Sequence, residues 1–106
     1  MIEKPNLEYI HELAAGSETF KKKLITIIKR EFPEEKNIFL ENYHEKKYGD
    51  AAENVHKLKH KIGMLGFEKG YQTTIDFEEE LLDGEHSLFS EFMLILDSIE
   101  NFLTTI

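Results

Sequence analysis

The run Val55-His56-Lys57-Leu58-Lys59-His60-Lys61-Ile62-Gly63 places two imidazoles and three ammonium groups side by side. An imidazole that is neutral near pH 7 is a competent nucleophile, because its ordinary pKa is about 6.5. A lysine three residues further on supplies positive charge to whatever anion such a nucleophile carries. On a helix turning about 100° per residue, His56, Lys59, His60 and Gly63 fall at roughly 0°, 300°, 40° and 340°, on one narrow face. Gly63 costs a helix about 1 kcal/mol relative to alanine. What it offers in return is a flat spot where another protein's backbone can approach. Nucleophile, cation and clearance together suit phosphoryl transfer to and from a histidine. Lys57 and Lys61 lie off the His56 face and read as electrostatic steering toward a partner, or as solvated side chains.

These residues need a helix to hold them. Ala51, Val55, Leu58, Ile62 and Leu65 form an apolar stripe beside the histidine face, so His56 is expected at the edge of a bundle with water on one side. Upstream, Asn6 can cap a short helix bearing Leu7, Ile10 and Leu13 and stopped by Gly16. Ser17 can cap a second helix with Phe20, Leu24, Ile27, Ile28 and Phe32 facing inward. Pro33 is expected to break or kink it, with acids in the first turn of a third helix that carries Phe39, Leu40 and Tyr43 and runs to about Lys47. Gly49 reads as a stop, and Asp50 with Glu53 as an acidic capping box for the histidine helix. After Gly66 a fifth helix carries Tyr71, Ile75, Leu81 and Leu82. Ser87 then caps a last one with Leu88, Phe92, Ile95, Leu96, Ile99, Phe102, Leu103 and Ile106. No strand pattern competes. The expected fold is all-α, an antiparallel four-helix bundle with a short N-terminal helix, forming one domain over residues 1–106.

Composition narrows the function. The 106-residue chain carries a net charge of −8, yet the stretch around His56 holds three lysines and no acid. An acidic surface argues against general nucleic-acid binding, which needs a broad basic face. A local basic patch suits one small anion or one acidic partner. No cysteine is present, which removes disulfides and thiolate chemistry and fits a cytoplasmic protein. The first residues do not read as a signal peptide, and no apolar run of about 18 residues offers a membrane span. The wide stripe of the last helix can be satisfied within one bundle, so a monomer is expected.

The segment from His56 through Lys59 to Gly63 and Gly66 resembles the signature of histidine-containing phosphotransfer (HPt) domains, commonly H-x-L-K-G followed by small residues and a further glycine. "GDAAENVH" upstream and the pattern ending in Phe77-Glu78 are similar to the flanking parts of that family. The resemblance implies a phosphorelay intermediate in two-component signalling. His56 would accept a phosphoryl group from a response-regulator receiver's aspartyl phosphate and pass it to another receiver, with a hybrid histidine kinase upstream. Lys59 would help neutralise the phosphoryl group. The receiver would bring the Mg²⁺, and the domain would bind no cofactor of its own. Two departures stand out. His60 occupies the position of the family's glycine, so a bulky ring narrows the docking surface formed by Lys57, His60, Lys61 and Gly63. A receiver-binding module that no longer transfers is the alternative. Gly70 replaces a residue that is more often apolar, which bears on the start of the fifth helix. Glu78 matches the family's acid by position, and a helix-stabilising role fits it equally well.

Metals provide the rival chemistry. His56 and His60 have the i, i+4 spacing of a helical zinc pair, and Glu-x-x-His occurs at Glu41–His44 and Glu53–His56. Paired Glu-x-x-His ligands must point into a core, whereas Glu41, His44 and Glu53 are expected to face outward. A metal-binding helical bundle is therefore the weaker reading, and no metal ligand is assigned. His11, His44 and His86 have no partner pattern and read as surface residues.

Overall fold

The computed structural model describes residues 3–106, and among them there are five helices and no strand. α1 spans Glu8–Ala14, α2 Glu18–His44, α3 Tyr48–Met64, α4 Glu68–Leu82 and α5 Phe89–Leu103. Helix α3, which carries the histidines, packs on α2 and on α4; α5 packs on α4 and α2, and α1 on α2. Among the described residues no helix is long and apolar enough to cross a membrane.

One core holds these helices together. Phe32 and Phe39 of α2, Val55, Leu58 and Ile62 of α3, Phe77 and Leu81 of α4, and Phe92, Leu96 and Ile99 of α5 are all buried in it. Phe39 meets Phe92 edge-on at 5.3 Å between ring centroids, and Phe77 lies 5.0 Å from Phe92. Each fully buried side chain of this size contributes roughly 1.5–3 kcal/mol. Polar contacts fix the helices against one another at the rim. Asn42 of α2 donates to Asn54 of α3 at 2.7 Å. Lys36 of α2 pairs with Asp97 and Glu100 of α5. Burial works to lower the Lys36 pKa, but the hydrogen bond and charge of Glu100 and the charge of Asp97 outweigh it, so the net shift is upward.

Pro33 does not break α2, and no new helix starts at the acids that follow it. Proline removes one i→i−4 hydrogen bond and crowds the preceding turn, at a cost of about 3 kcal/mol. Ile28, Phe32 and Phe39, on both sides of Pro33, are buried in the same core, and that shared burial outweighs the local penalty. The turn before α3 also sits earlier than Gly49. Lys46 takes the left-handed conformation (φ 62°), so that the N–H groups of Lys46 and Lys47 reach the carbonyls of Tyr43 and Asn42. Gly49 lies inside the first turn of α3.

Capping follows the sequence at Ser17 and departs from it at Ser87 and at Asp50, which lies inside the first turn of α3 while Lys47 holds the N-cap position. Ser17 accepts from the Phe20 N–H at 3.2 Å, as expected. Ser87 does not cap α5. Its hydroxyl bonds the Glu80 carboxylate, whose second oxygen accepts the Leu88 N–H at 2.9 Å, so α4 caps α5 from across the turn. The Ser87 hydrogen bond holds the Glu80 pKa below its ordinary value against a smaller opposing effect of burial, with the Leu88 N–H adding to the lowering. Gly70 does not delay α4. It is buried within the first turn, where a Cβ would fall onto the Phe67 ring. The N–H groups of Lys69 and Gly70 donate to the carboxylate of Glu3, both at 3.0 Å. Three apolar residues assigned inward by their spacing are exposed instead: Leu13, Phe20 and Leu82.

Candidate functional site

His56 stands on α3 with its side chain half exposed, and it does not stand alone. Its Nδ1 lies 3.2 Å from Oε2 and 3.3 Å from Oε1 of Glu78 on α4. An ionised carboxylate can only accept a hydrogen bond, so Nδ1 carries the proton and donates it. Nε2 is then left as the basic nitrogen with a free lone pair. The same carboxylate accepts from Lys59 Nζ at 3.1 Å. Lys59 and Glu78 are mostly covered, with side chains 14% and 20% exposed, whereas His56 is 52% exposed. Imidazole and lysine are thus joined by one acid from the neighbouring helix.

The local sequence explains this convergence. Val55, Leu58 and Ile62 anchor α3 in the core, which rotates His56 and Lys59 toward the α3–α4 seam. Phe77 and Leu81 anchor α4 in the same way, and Glu78, next to Phe77, emerges at that seam. A groove of about 300 Å³ runs beside His56, lined by Ala52, Glu53, His56, Lys57, Glu78 and Leu82. Leu82, 65% exposed, supplies its apolar lip. Leu81 and Leu82 are about 100° apart on a helix, so burying the first turns the second outward. That spacing was a readable sign of an exposed leucine at the site.

The remaining expected residues separate. His60 packs its ring edge-on to His56, with centroids 4.9 Å apart and planes at 90°. Lys57 is exposed on the groove side. Lys61 turns to α2, where its Nζ lies 3.1 Å from Glu31 and 2.9 Å from Glu35, and its side chain is only 13% exposed. It is not displayed for a partner. Gly63 is not a bare platform either. A Cβ there would stand 3.1–3.2 Å from the Tyr71 ring of α4, so the missing side chain makes room for a residue of this same chain. Gly66, with φ 72°, ends α3 and lies beneath the Asn6 side chain.

Among the described residues no three His, Asp or Glu side chains come together as a metal site. Glu41, His44 and Glu53 face outward, as their spacing implied. His86 accepts or donates a hydrogen bond with the Tyr43 hydroxyl at 3.1 Å, between α2 and the α4–α5 turn. Comparison with family models, with curated proteins and with solved structures gives no match to this chain.

Proposed function

We propose that this chain is a phosphohistidine carrier in a two-component relay, with His56 as the phospho-acceptor. The observation that carries the reading is the Glu78 bridge: one carboxylate holds the Nδ1 proton of an exposed imidazole and a lysine ammonium at the same time. The four long helices fit an antiparallel four-helix bundle of the HPt kind, with α1 as the short N-terminal helix.

In the proposed step the Nε2 lone pair attacks phosphorus of a receiver's aspartyl phosphate. The N–P bond forms as the P–O bond to the aspartyl group breaks, and that bond's electron pair stays on the departing carboxylate. The Nδ1 proton stays in place, so the phosphorylated ring is formally cationic, and Glu78 opposite it stabilises that charge. Lys59 lies beside the same carboxylate and is placed to swing toward the transferred group. Mg²⁺ belongs to the receiver in this scheme. Transfer to a second receiver is the reverse reaction. The groove between Ala52 and Leu82 gives a partner an apolar foothold next to the nucleophile.

The test is phosphoryl transfer from a panel of radiolabelled, phosphorylated receivers to the protein and to His56→Gln. Label that is acid-labile, alkali-stable and absent from the variant is expected. Receivers that bind the protein but never load it would leave a docking module without a relay.

A further inference from the structure

His56 has a second imidazole beside it on the same helix. His60 stands one turn further along α3, its ring perpendicular to that of His56 at 4.9 Å between centroids, and its side chain is exposed. We propose that His60 is a second, proton-gated cation for a phosphoryl group on His56: protonated, it binds the phosphoryl oxygens, and neutral, it does not. The inference rests on His56 being the phospho-acceptor and adds what sets the phosphoryl group's residence there.

A phosphoryl group carries about −1.5 to −2 charges near neutral pH. Lys59, one turn from His56, already shares its ammonium with Glu78, so the charge available to the phosphoryl group from that side is partly spent. An imidazolium within hydrogen-bond reach of a phosphate makes a charge-assisted bond, roughly twice as strong as a neutral one. An imidazole gains its proton near pH 6.5, inside the range cells use.

The surroundings leave His60 free to act this way. On its own helix the charged or titratable neighbours one turn away are His56 and Lys57. Lys61, adjacent in the chain, is turned to Glu31 and Glu35 of α2, and these two acids are thereby engaged. From α4, Glu78 faces the His56–Lys59 side of the seam, and Tyr71 covers Gly63. Among the described residues no carboxylate forms an ion pair with His60.

The gain follows from Coulomb's law. A unit charge about 5–6 Å from a dianion in a water-like dielectric is worth roughly tenfold or somewhat more in an equilibrium constant, and salt screening brings that down to about fivefold. The wild-type protein should therefore hold phospho-His56 about fivefold more strongly at pH 6 than a chain without the His60 imidazole, and equally at pH 8.

The experiment loads the full chain with phosphoramidate, a small donor that needs no partner protein. The phospho-His56 fraction is read by phosphorus NMR at pH 6 and pH 8 for wild type, His60→Gln and His60→Lys, with His56→Gln identifying the signal. The expected result is a wild-type to His60→Gln ratio about fivefold higher at pH 6 than at pH 8, with His60→Lys high at both. Parallel behaviour of wild type and His60→Gln across that range would overturn the inference while leaving the relay intact. Receivers that never load His56, beside a phosphoramidate product with the expected pH dependence, would sink the relay and keep the His60 cation. No phospho-His56 from either source would remove both.

Discussion

Lys57 and Lys61 are four residues apart and of the same residue type, yet they should answer to different assays. Lys61→Met keeps most of the aliphatic stem and removes the ammonium that Glu31 and Glu35 share. Taking one partner from a fully buried pair costs about 3–5 kcal/mol, and an exposed pair is worth about 0–1 kcal/mol. Lys61 and Glu35 have side chains 13% and 16% exposed, between those limits, while Glu31 at 40% is screened and adds little. The expected loss is about 2 kcal/mol. For a chain of this length that lowers the melting temperature by about 8 °C. At a temperature where both proteins are folded, phosphoryl transfer should be unchanged. Lys57→Met should do the reverse. Its side chain is exposed beside the groove, so the melting temperature should stay within about 2 °C of wild type. Transfer from a receiver should slow about twofold to fivefold at low ionic strength, and the difference should fade as salt screens the approach. Circular-dichroism melts and quenched transfer at a single temperature measure both halves. A Lys61→Met protein that melts like wild type, or slows transfer more than Lys57→Met does, would refute the assignment of Lys61 to the α2–α3 seam.

Two further outcomes follow from the site and its supporting turn. Glu78→Ala should move the His56 proton from Nδ1 toward Nε2, visible in the nitrogen NMR shifts of the ring, and should slow transfer about threefold to tenfold; an unchanged tautomer would sink the orienting role. Ser87→Ala should lower the melting temperature at pH 7, where Glu80 is ionised. The Glu80 pKa lies below its ordinary value of 4.5 in the folded chain, so the stability it brings is present above that value and lost as pH falls through the depressed one. The gap between wild type and Ser87→Ala should therefore close on acidification from pH 5 toward pH 3, and a gap that persists at pH 3 would contradict it.

Much of this was written into local patterns. The stripes of α3 and α5 placed Val55, Leu58, Ile62, Phe92, Leu96 and Ile99 in the core, because a periodicity of three and four reports burial directly. His56 at the helix edge and Lys59 on its face came from the same arithmetic. What local patterns could not carry were matters settled between helices. Pro33 is a strong breaker on its own, and only the packing of Ile28, Phe32 and Phe39 against other helices overrides it. Gly63 is equally compatible with an open platform and a Tyr71 ring, and the choice depends on α4. Glu78 reached even footing between two roles because spacing along α4 says nothing about its rotation toward α3. Lys61 was indistinguishable from Lys57 until α2 lay alongside.

Glu3 and Asn6 tie the beginning of the described chain to the middle of it. The hydrogen bond from Lys69 to Glu3 spans 66 residues, and the Asn6 N–H donates to the Leu65 carbonyl at 2.7 Å. Contacts of such sequence separation close a long loop, and the entropy lost in closing it has to be offset by what the contact gains. The first turn of α4, the helix that bears Glu78, therefore has two of its N–H groups satisfied by a carboxylate from the opening residues.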